Sequence, residues 1–294
     1  MKCEHCGMAR WATLIEQRRS ERPVILVDTG DFYPVREFSN QQIKDRYFFS
    51  AVNLLRYDAI AIGECETRND AKRIMSMPDV KGLPFVSSNI LGKRSGKPIA
   101  DTYRICTFGE RRSFFGKTGG WRVGIFSVAH PDLVYRFGDN PAGVYFVVDP
   151  KIAALEAVKA LKAKGCSVIV GISHQGLDAS RELALQVPGI DVVINAHYLS
   201  GLVFAERLGR TLLVDPGQKE TAFTEIEVSW RKPLLEMNAT NRCPELTKNP
   251  GDERFLKLEA DYAKEFREAQ HGRMMRKFSL GDTTSQGDSA ATAR

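Results

Sequence analysis

The 294-residue sequence lacks a long hydrophobic run, and no apolar stretch reaches the 18 or so residues that a bilayer span requires. It also lacks the apolar core of a secretory signal, because Met1 leads through Lys2 and Cys3 into a mixed polar segment. Apolar residues make up 43% of the chain and charged residues 27%, which is ordinary for a globular protein with a buried core. We therefore expect no transmembrane segment and, if residue 1 is the true start, a cytoplasmic protein.

Clustered positive charge is also scarce. The net charge is +6, but the basic residues are spread along the chain, with small clusters only at Arg18-Arg19 and in residues 273–277. A nucleic-acid-binding face requires basic residues gathered on one side, whereas scattered charge mainly sets solubility. We expect no nucleic-acid partner.

Cysteines are few, and their spacing is uninformative. Cys3-Glu4-His5-Cys6 is a CxxC pair, but the chain has neither the second pair of a zinc site nor the histidine that follows the pair in a haem site. We interpret the pair as part of a plain terminal segment. Electron transfer through it is an alternative supported by nothing beyond the pair itself.

Short apolar runs alternate with helical patterns along the first 230 residues. Runs of this length, bounded by Gly, Asp and Pro, are typical of strands covered on both faces. They lie at residues 24–27, 59–62, 84–86, 123–126, 168–170, 192–194 and 212–214. Helices are expected at about 8 to 19, 41 to 56 and 150 to 164, the last with Asp149 as its N-cap and Gly165 as its stop signal. The alternation predicts an α/β fold.

The composition changes near Trp230, which predicts three regions. Residues 1–230 form the α/β domain, residues 231–280 form an Asn- and Pro-rich linker with one amphipathic helix from about 252 to 270, and residues 281–294 form a disordered tail.

Side chains that commonly bind metals follow four of the predicted strands. Asp31, Glu64, His174 and His197 each come directly or shortly after a strand. Ligands of open α/β sheets bind at the carboxyl ends of strands, and two imidazoles with two carboxylates suit zinc, manganese or iron. Taken singly, each residue could equally be a turn former, a helix cap or a hydrogen-bonded loop residue. Their occurrence at four equivalent strand ends favours a joint divalent-metal site.

Five segments also occur in a characteristic order. They are Asp28-Thr29-Gly30-Asp31, residues 57–63, residues 83–89, Ile172-Ser173-His174-Gln175-Gly176 and residues 190–197. Their order and spacing resemble the calcineurin-like metallophosphoesterases, and within them the catalytic domain of bacterial 5′-nucleotidase-type enzymes. The resemblance covers residues 7–230. It implies a four-layer α/β/β/α metallophosphoesterase-like sandwich around a two-metal site.

The resemblance also implies roles for single residues. Asp31 matches the carboxylate that bridges the two metals, and His174 and His197 match ligands of one of them. Gly63-Glu64-Cys65-Glu66 stands where the family has Gly-Asn-His-Glu, so Glu64 takes the place of an amide ligand. Cys65 takes the place of the histidine that helps to protonate the leaving group. A thiol hydrogen-bonds weakly, so we expect Cys65 to be a poor acid.

The sequence departs from the family at two further places. The family's Gly-His-x-His motif reads Ala196-His197-Tyr198-Leu199 here, and Leu199 cannot bind a metal. The family's opening strand, which ends in Asp-x-His, has no counterpart in residues 1–230, so we expect the sandwich to lack its first strand. The four remaining ligands suffice for one metal ion rather than two, and a partner protein could complete the sheet.

Taken together, these features favour a metal-dependent, nucleotidase-like hydrolase of phosphate esters, in which a metal-activated water attacks phosphorus with weak activity. The substrate would be a small phosphorylated molecule, for example a nucleotide, and the resemblance implies a periplasmic protein. The alternative is a non-catalytic, degenerate binding module of the same fold, which Cys65 and Leu199 favour.

Overall fold

A computed structural model describes most of the chain. It covers residues 8–33, 40–68, 75, 77–78, 80–109, 111–113, 116–118, 120–134, 144–197, 204–217, 223–231, 234–242 and 251–281. The helices are α1 (Met8–Glu21), α2 (Gln41–Leu55), α3 (Glu64–Arg68), α4 (Pro150–Ala163), α5 (Leu177–Gln186) and α6 (Glu253–Gly281), with a 3₁₀ helix at Pro131–Val134. The first nine strands are β1 (Val27–Asp28), β2 (Ala59–Ala61), β3 (Phe85–Val86), β4 (Ile90–Gly92), β5 (Tyr103–Phe108), β6 (Arg111–Ser113), β7 (Gly116–Thr118), β8 (Trp121–Ala129) and β9 (Tyr145–Val147). The others are β10 (Val168–His174), β11 (Val192–Ala196), β12 (Phe204–Leu208), β13 (Thr211–Asp215), β14 (Phe223–Arg231) and β15 (Leu234–Arg242).

Local sequence signals account for the clearest helix. Asp149 Oδ1 accepts the backbone N–H of Ile152 at 3.0 Å, and Pro150 opens α4, where a missing N–H costs nothing. The helix ends before Gly165, whose φ of +76° is accessible at little cost only without a Cβ. The helix predicted at about 150 to 164 is confirmed.

Two sheets form the centre of the molecule. The parallel strands β1, β2 and β3 form a three-stranded sheet, and a six-stranded sheet has the order β12-β13-β11-β10-β8-β5. In the larger sheet β8, β10, β11 and β13 are parallel, whereas β5 and β12 run antiparallel at its edges. The parallel strands therefore deliver their carboxyl ends to one edge, where His174 lies opposite Ala196 and Ala129.

Apolar residues hold these elements together in four layers. Between the sheets, Ala59 and Ala61 pack with Ile125 and Ile172. The outer face of the three-stranded sheet packs against α2, and the outer face of the six-stranded sheet packs against α4 and α5. The predicted four-layer α/β/β/α sandwich is thereby confirmed. That the fold lacks the family's first strand stays a prediction.

The segment predicted as a linker contains a strand instead. β15 pairs antiparallel with β14 from Phe223↔Arg242 to Arg231↔Leu234. Met237 from this hairpin is buried against Val192 and Val214 of the six-stranded sheet. The Asn-rich composition suggested a linker, but pairing along β14 supplies the backbone hydrogen bonds and Met237 supplies the core contact. The domain boundaries themselves stay predictions.

The last described helix is longer than the sequence pattern indicates and packs onto the first two helices. It spans Glu253–Gly281 rather than about 252 to 270. Phe255 is buried with residues of α1 and α2, and the N–H of Asp252 donates to Ala9 O at 2.8 Å. Residues 282–294, which include nearly all of the predicted disordered tail, lie outside the described residues.

Across the described residues, the helices are too short or too polar to cross a bilayer. The periplasmic location, a partner protein and the lack of a nucleic-acid partner stay predictions.

Candidate metal site

The four residues singled out at strand ends converge on one place. Asp31 lies in the loop after β1, Glu64 begins α3 after β2, His174 ends β10 and His197 follows β11. One donor atom from each of these side chains lies within 4.8 Å of all the others. Within the described residues, they form the only such group of metal-ligating side chains. The cluster arises because both sheets present their strand ends to the same edge of the sandwich.

Glu64 is the centre of the cluster. Its Oε2 lies 2.8 Å from His174 Nε2, and its Oε1 lies 2.9 Å from His197 Nδ1. His174 Nε2 is also 3.3 Å from Asp31 Oδ2. His174 is buried, and its Nδ1–H donates to Thr29 O at 2.8 Å, which fixes the ring and leaves Nε2 facing the carboxylates.

These contacts set the charges in the metal-free protein. Burial alone would lower the pKa of His174, but the hydrogen bonds and charges of Asp31 and Glu64 outweigh it and raise this pKa to about 10. Burial would likewise raise the pKa of Glu64, yet the hydrogen bonds from the two histidines hold it well below its usual range. A proton therefore sits on His174 Nε2 at neutral pH, and metal binding there must release it.

The backbone is strained at two of the four positions. Asp31 has a φ of 62° and His197 a φ of 59°, in the left-handed region that side chains with a Cβ adopt at a cost of about 1–3 kcal/mol. Such strain persists only where surrounding contacts enforce it. Gly63 lies against this loop, and a Cβ at its position would collide with the carboxylate of Asp31.

Gly63→Ala is expected to displace Asp31, a candidate ligand, and to weaken binding of a divalent ion about 5- to 150-fold, since overpacking costs about 1–3 kcal/mol. Calorimetric titration with zinc measures the effect. Gly272→Ala on α6, where the added methyl group meets open space, is the matched control and should bind as the wild type does. Equal affinities for Gly63→Ala and Gly272→Ala would contradict the crowding at Gly63.

Cys65 lies beside the cluster and is half-buried. Its backbone N–H donates to Asp31 Oδ1 at 2.8 Å. Burial, together with the charges of Asp31, Glu66 and Glu64, raises the pKa of the thiol well above its ordinary value. The thiol therefore stays protonated and holds its proton tightly, which is unfavourable for both a nucleophile and an acid.

A buried polar network lies behind the two histidines. Ser180 Oγ from α5 is 2.9 Å from Ser173 Oγ and 2.7 Å from Asn195 Oδ1, and Asn195 Nδ2 donates to Asp215 Oδ2 at 3.1 Å. These four residues are buried. They tie β10, β11 and β13 together one or two residues before His174 and His197, which fixes the spacing of the two imidazoles.

The sequence interpretation missed two polar residues at this edge. Glu66, although part of the quoted motif, received no role; it is buried, and burial raises its pKa to about 7. His130 follows β8, its N–H donates to His174 O at 3.1 Å, and its Nδ1 accepts the N–H of Asp132 at 3.1 Å. The position of His130 at the end of another predicted strand was the available signal.

Several sequence-derived expectations concern residues outside the described part of the chain. These are Tyr198 and Leu199 of the last strand-end motif and the CxxC pair Cys3 and Cys6.

Comparison with known proteins agrees with the fold. No family model matches the chain. The chain is 31% identical over 202 residues to a 5′-nucleotidase of Bos taurus, an alignment that covers 65% of this chain and 32% of the relative. The chain thus spans about a third of the length of the first curated relatives that it matches.

Two solved structures have the same fold. The sulfate thiohydrolase SoxB of Thermus thermophilus, in complex with glycerol, aligns with a TM-score of 0.74 and 19% identity, over 89% of this chain and 47% of that one. The calcineurin-like phosphoesterase YfkN of Bacillus subtilis aligns with a TM-score of 0.70 and 19% identity, over 92% of both chains. The chain therefore has the calcineurin-like metallophosphoesterase fold that its motifs predict, and about two thirds of its sequence is similar to part of a 5′-nucleotidase.

Proposed function

We propose that this domain is a metal-dependent hydrolase of phosphate esters, with a nucleotide as the first substrate class to test. The observation that carries the proposal is the convergence of Asp31, Glu64, His174 and His197 within 4.8 Å. The Bos taurus relative is a 5′-nucleotidase, which supports a nucleotide substrate.

The donor set fits a first-row divalent ion. Two imidazole nitrogens and two carboxylate oxygens suit zinc, manganese or iron better than magnesium or calcium, which favour all-oxygen sites. Such an ion, when bound, polarises a phosphoryl oxygen and lowers the pKa of a coordinated water. His174 Nε2, which faces Glu64 and Asp31, would be one ligand, and Glu64 is within reach of both imidazoles.

The charges favour one ion rather than two. Asp31 and Glu64 together carry two negative charges, which balance one divalent cation when both imidazoles are neutral. The cluster supplies four protein ligands in the described residues, enough for a single ion.

The other residues of the site support slow turnover. Cys65 occupies the position at which the family has its acid histidine, and its thiol holds its proton tightly. A missing general acid typically costs 10²–10⁴-fold in rate. We therefore propose weak hydrolysis that depends on the leaving group.

The second candidate function is a non-catalytic binding module of the same fold. The protonated thiol of Cys65 favours it. Such a module would bind a phosphorylated ligand without hydrolysing it.

The protein purified without chelator is expected to contain about one equivalent of zinc, manganese or iron, because the ligand set holds one ion. Elemental analysis measures this content. Hydrolysis of p-nitrophenyl phosphate and of adenosine monophosphate should be detectable and should cease after dialysis against a chelator. Restoring the metal should restore both activities.

Two equivalents of metal would contradict the single-ion proposal, and a metal-free protein would contradict the metal site. Metal binding together with calorimetric binding of adenosine monophosphate, but with no release of phosphate, would identify the binding module instead.

A further inference from the structure

Glu66 makes an unusual set of contacts for a side chain that faces no solvent. It is 1% exposed and lies on α3, two residues after Glu64. Its Oε2 accepts the backbone N–H of Asp31 at 3.0 Å and that of Gly63 at 2.8 Å, while its Oε1 accepts the N–H of Tyr33 at 3.0 Å. Three backbone donors from two separate loops thus converge on one carboxylate.

These two loops carry the two carboxylates of the candidate metal site. The loop after β1 holds Asp31, and the junction of β2 with α3 holds Glu64. Asp31 has a positive φ, so contacts with other parts of the chain must stabilise its backbone in this strained conformation. The hydrogen bond from its N–H to Glu66 is such a contact, and it reaches across 35 positions in the sequence.

A reciprocal hydrogen bond completes the link. Asp31 Oδ1 accepts the N–H of Cys65, so Oδ2 is the oxygen that lies 3.3 Å from His174 Nε2. Glu66 therefore fixes the backbone of Asp31, and the backbone next to Glu66 fixes the carboxylate of Asp31. The two loops cannot shift independently while both sets of hydrogen bonds hold.

We propose that Glu66 is a positioning residue that holds Asp31 and Glu64 in ligating geometry before the metal arrives, an assignment that rests on the proposed metal-dependent function. The role requires a carboxylate. Each of its oxygens can accept two hydrogen bonds, whereas glutamine offers one oxygen and one NH₂ group. In Glu66→Gln the NH₂ group must face either Tyr33 N–H or the N–H groups of Asp31 and Gly63.

The first test needs no variant. In the metal-free wild-type protein, amide hydrogen exchange of Asp31, Tyr33 and Gly63 should already be slow. Exchange of these three amides at the rate of unprotected amides would overturn the assignment, because the hydrogen bonds to Glu66 would then not be formed before metal binding.

The second test compares zinc affinity in three full-length proteins by competition with a chromophoric chelator. Glu66→Gln should raise the dissociation constant for zinc about 10- to 100-fold, the usual effect of losing a partner that orients metal ligands. Leu161→Ala is the control for stability; Leu161 is buried beneath Gly124 on the far face of the six-stranded sheet. It should lower the melting temperature without changing zinc affinity.

The outcomes separate this assignment from the proposed function. Wild-type affinity in Glu66→Gln, or an equal loss of affinity in Leu161→Ala, would overturn the role of Glu66 alone. A wild-type protein that binds no zinc would overturn the proposed function, and the assignment with it.

Discussion

Replacing His174 by alanine is expected to lower the affinity for zinc by more than about 100-fold, beyond what the loss of a supporting residue costs. The physical reason is the position of Nε2. It faces both Glu64 and Asp31, and the hydrogen bond from Nδ1 to Thr29 O holds it there. Without this nitrogen the site keeps one imidazole and two carboxylates, whose mutual repulsion then opposes a preformed geometry. Elemental analysis and chelator competition measure the loss.

The chain offers a matched control for this variant. His130→Ala removes an imidazole that follows the neighbouring strand β8 but does not belong to the cluster, and it should keep wild-type zinc affinity. Circular dichroism checks that each variant is folded. His197→Ala tests the same site independently and should also lose zinc, because His197 Nδ1 contacts the other oxygen of Glu64. Full zinc content in both cluster variants would show that the site is assigned to the wrong residues.

The second large expected effect is a gain in the rate of hydrolysis. Cys65→His is expected to accelerate the hydrolysis of adenosine monophosphate about 100-fold or more, since a positioned general acid contributes 10²–10⁴-fold. The thiol of Cys65 holds its proton too tightly to donate it, whereas an imidazolium gives up its proton near neutral pH. Steady-state phosphate release with saturating zinc measures the gain in kcat.

The leaving group provides an internal check on this mechanism. p-Nitrophenolate departs readily without a proton, so Cys65→His should accelerate hydrolysis of p-nitrophenyl phosphate far less than hydrolysis of adenosine monophosphate. Cys166→His is the control: it makes the same substitution in the segment after α4, outside the candidate metal site, and should leave both rates unchanged. An equal acceleration of both substrates in Cys65→His would contradict a role in protonating the leaving group.

Periodicity and strand-end chemistry were sufficient to predict the α/β class and the four clustered residues, whereas the four layers were predicted from the family resemblance. The apolar runs at 59–62 and 168–170 form most of buried strands in the two sheets, and the side chains at their carboxyl ends meet although they are far apart in the sequence. The prediction of the four-residue cluster therefore needed only the element types and the polar residue after each strand.

Other features depend on contacts that no local pattern encodes. The role inferred for Glu66 depends on backbone N–H groups more than thirty positions away, and backbone groups leave no signature in the sequence. The positive φ of Asp31, and the closeness of its carboxylate to Gly63 in another loop, likewise have no local signature in the sequence. β15 was missed because its side chains suggest a linker, and only its pairing with β14 makes it a strand.

The packing of α6 has a consequence for the order in which the chain can fold. α1 and α2 share an apolar face that is completed by Phe255, and the N–H of Asp252 donates a hydrogen bond to Ala9 O. A ribosome adding about 5–20 residues per second needs about 10–40 s for the roughly 200 residues between Leu55 and Phe255. Throughout that time the first two helices lack their third partner, so their exposed face is where a chaperone would bind the nascent chain.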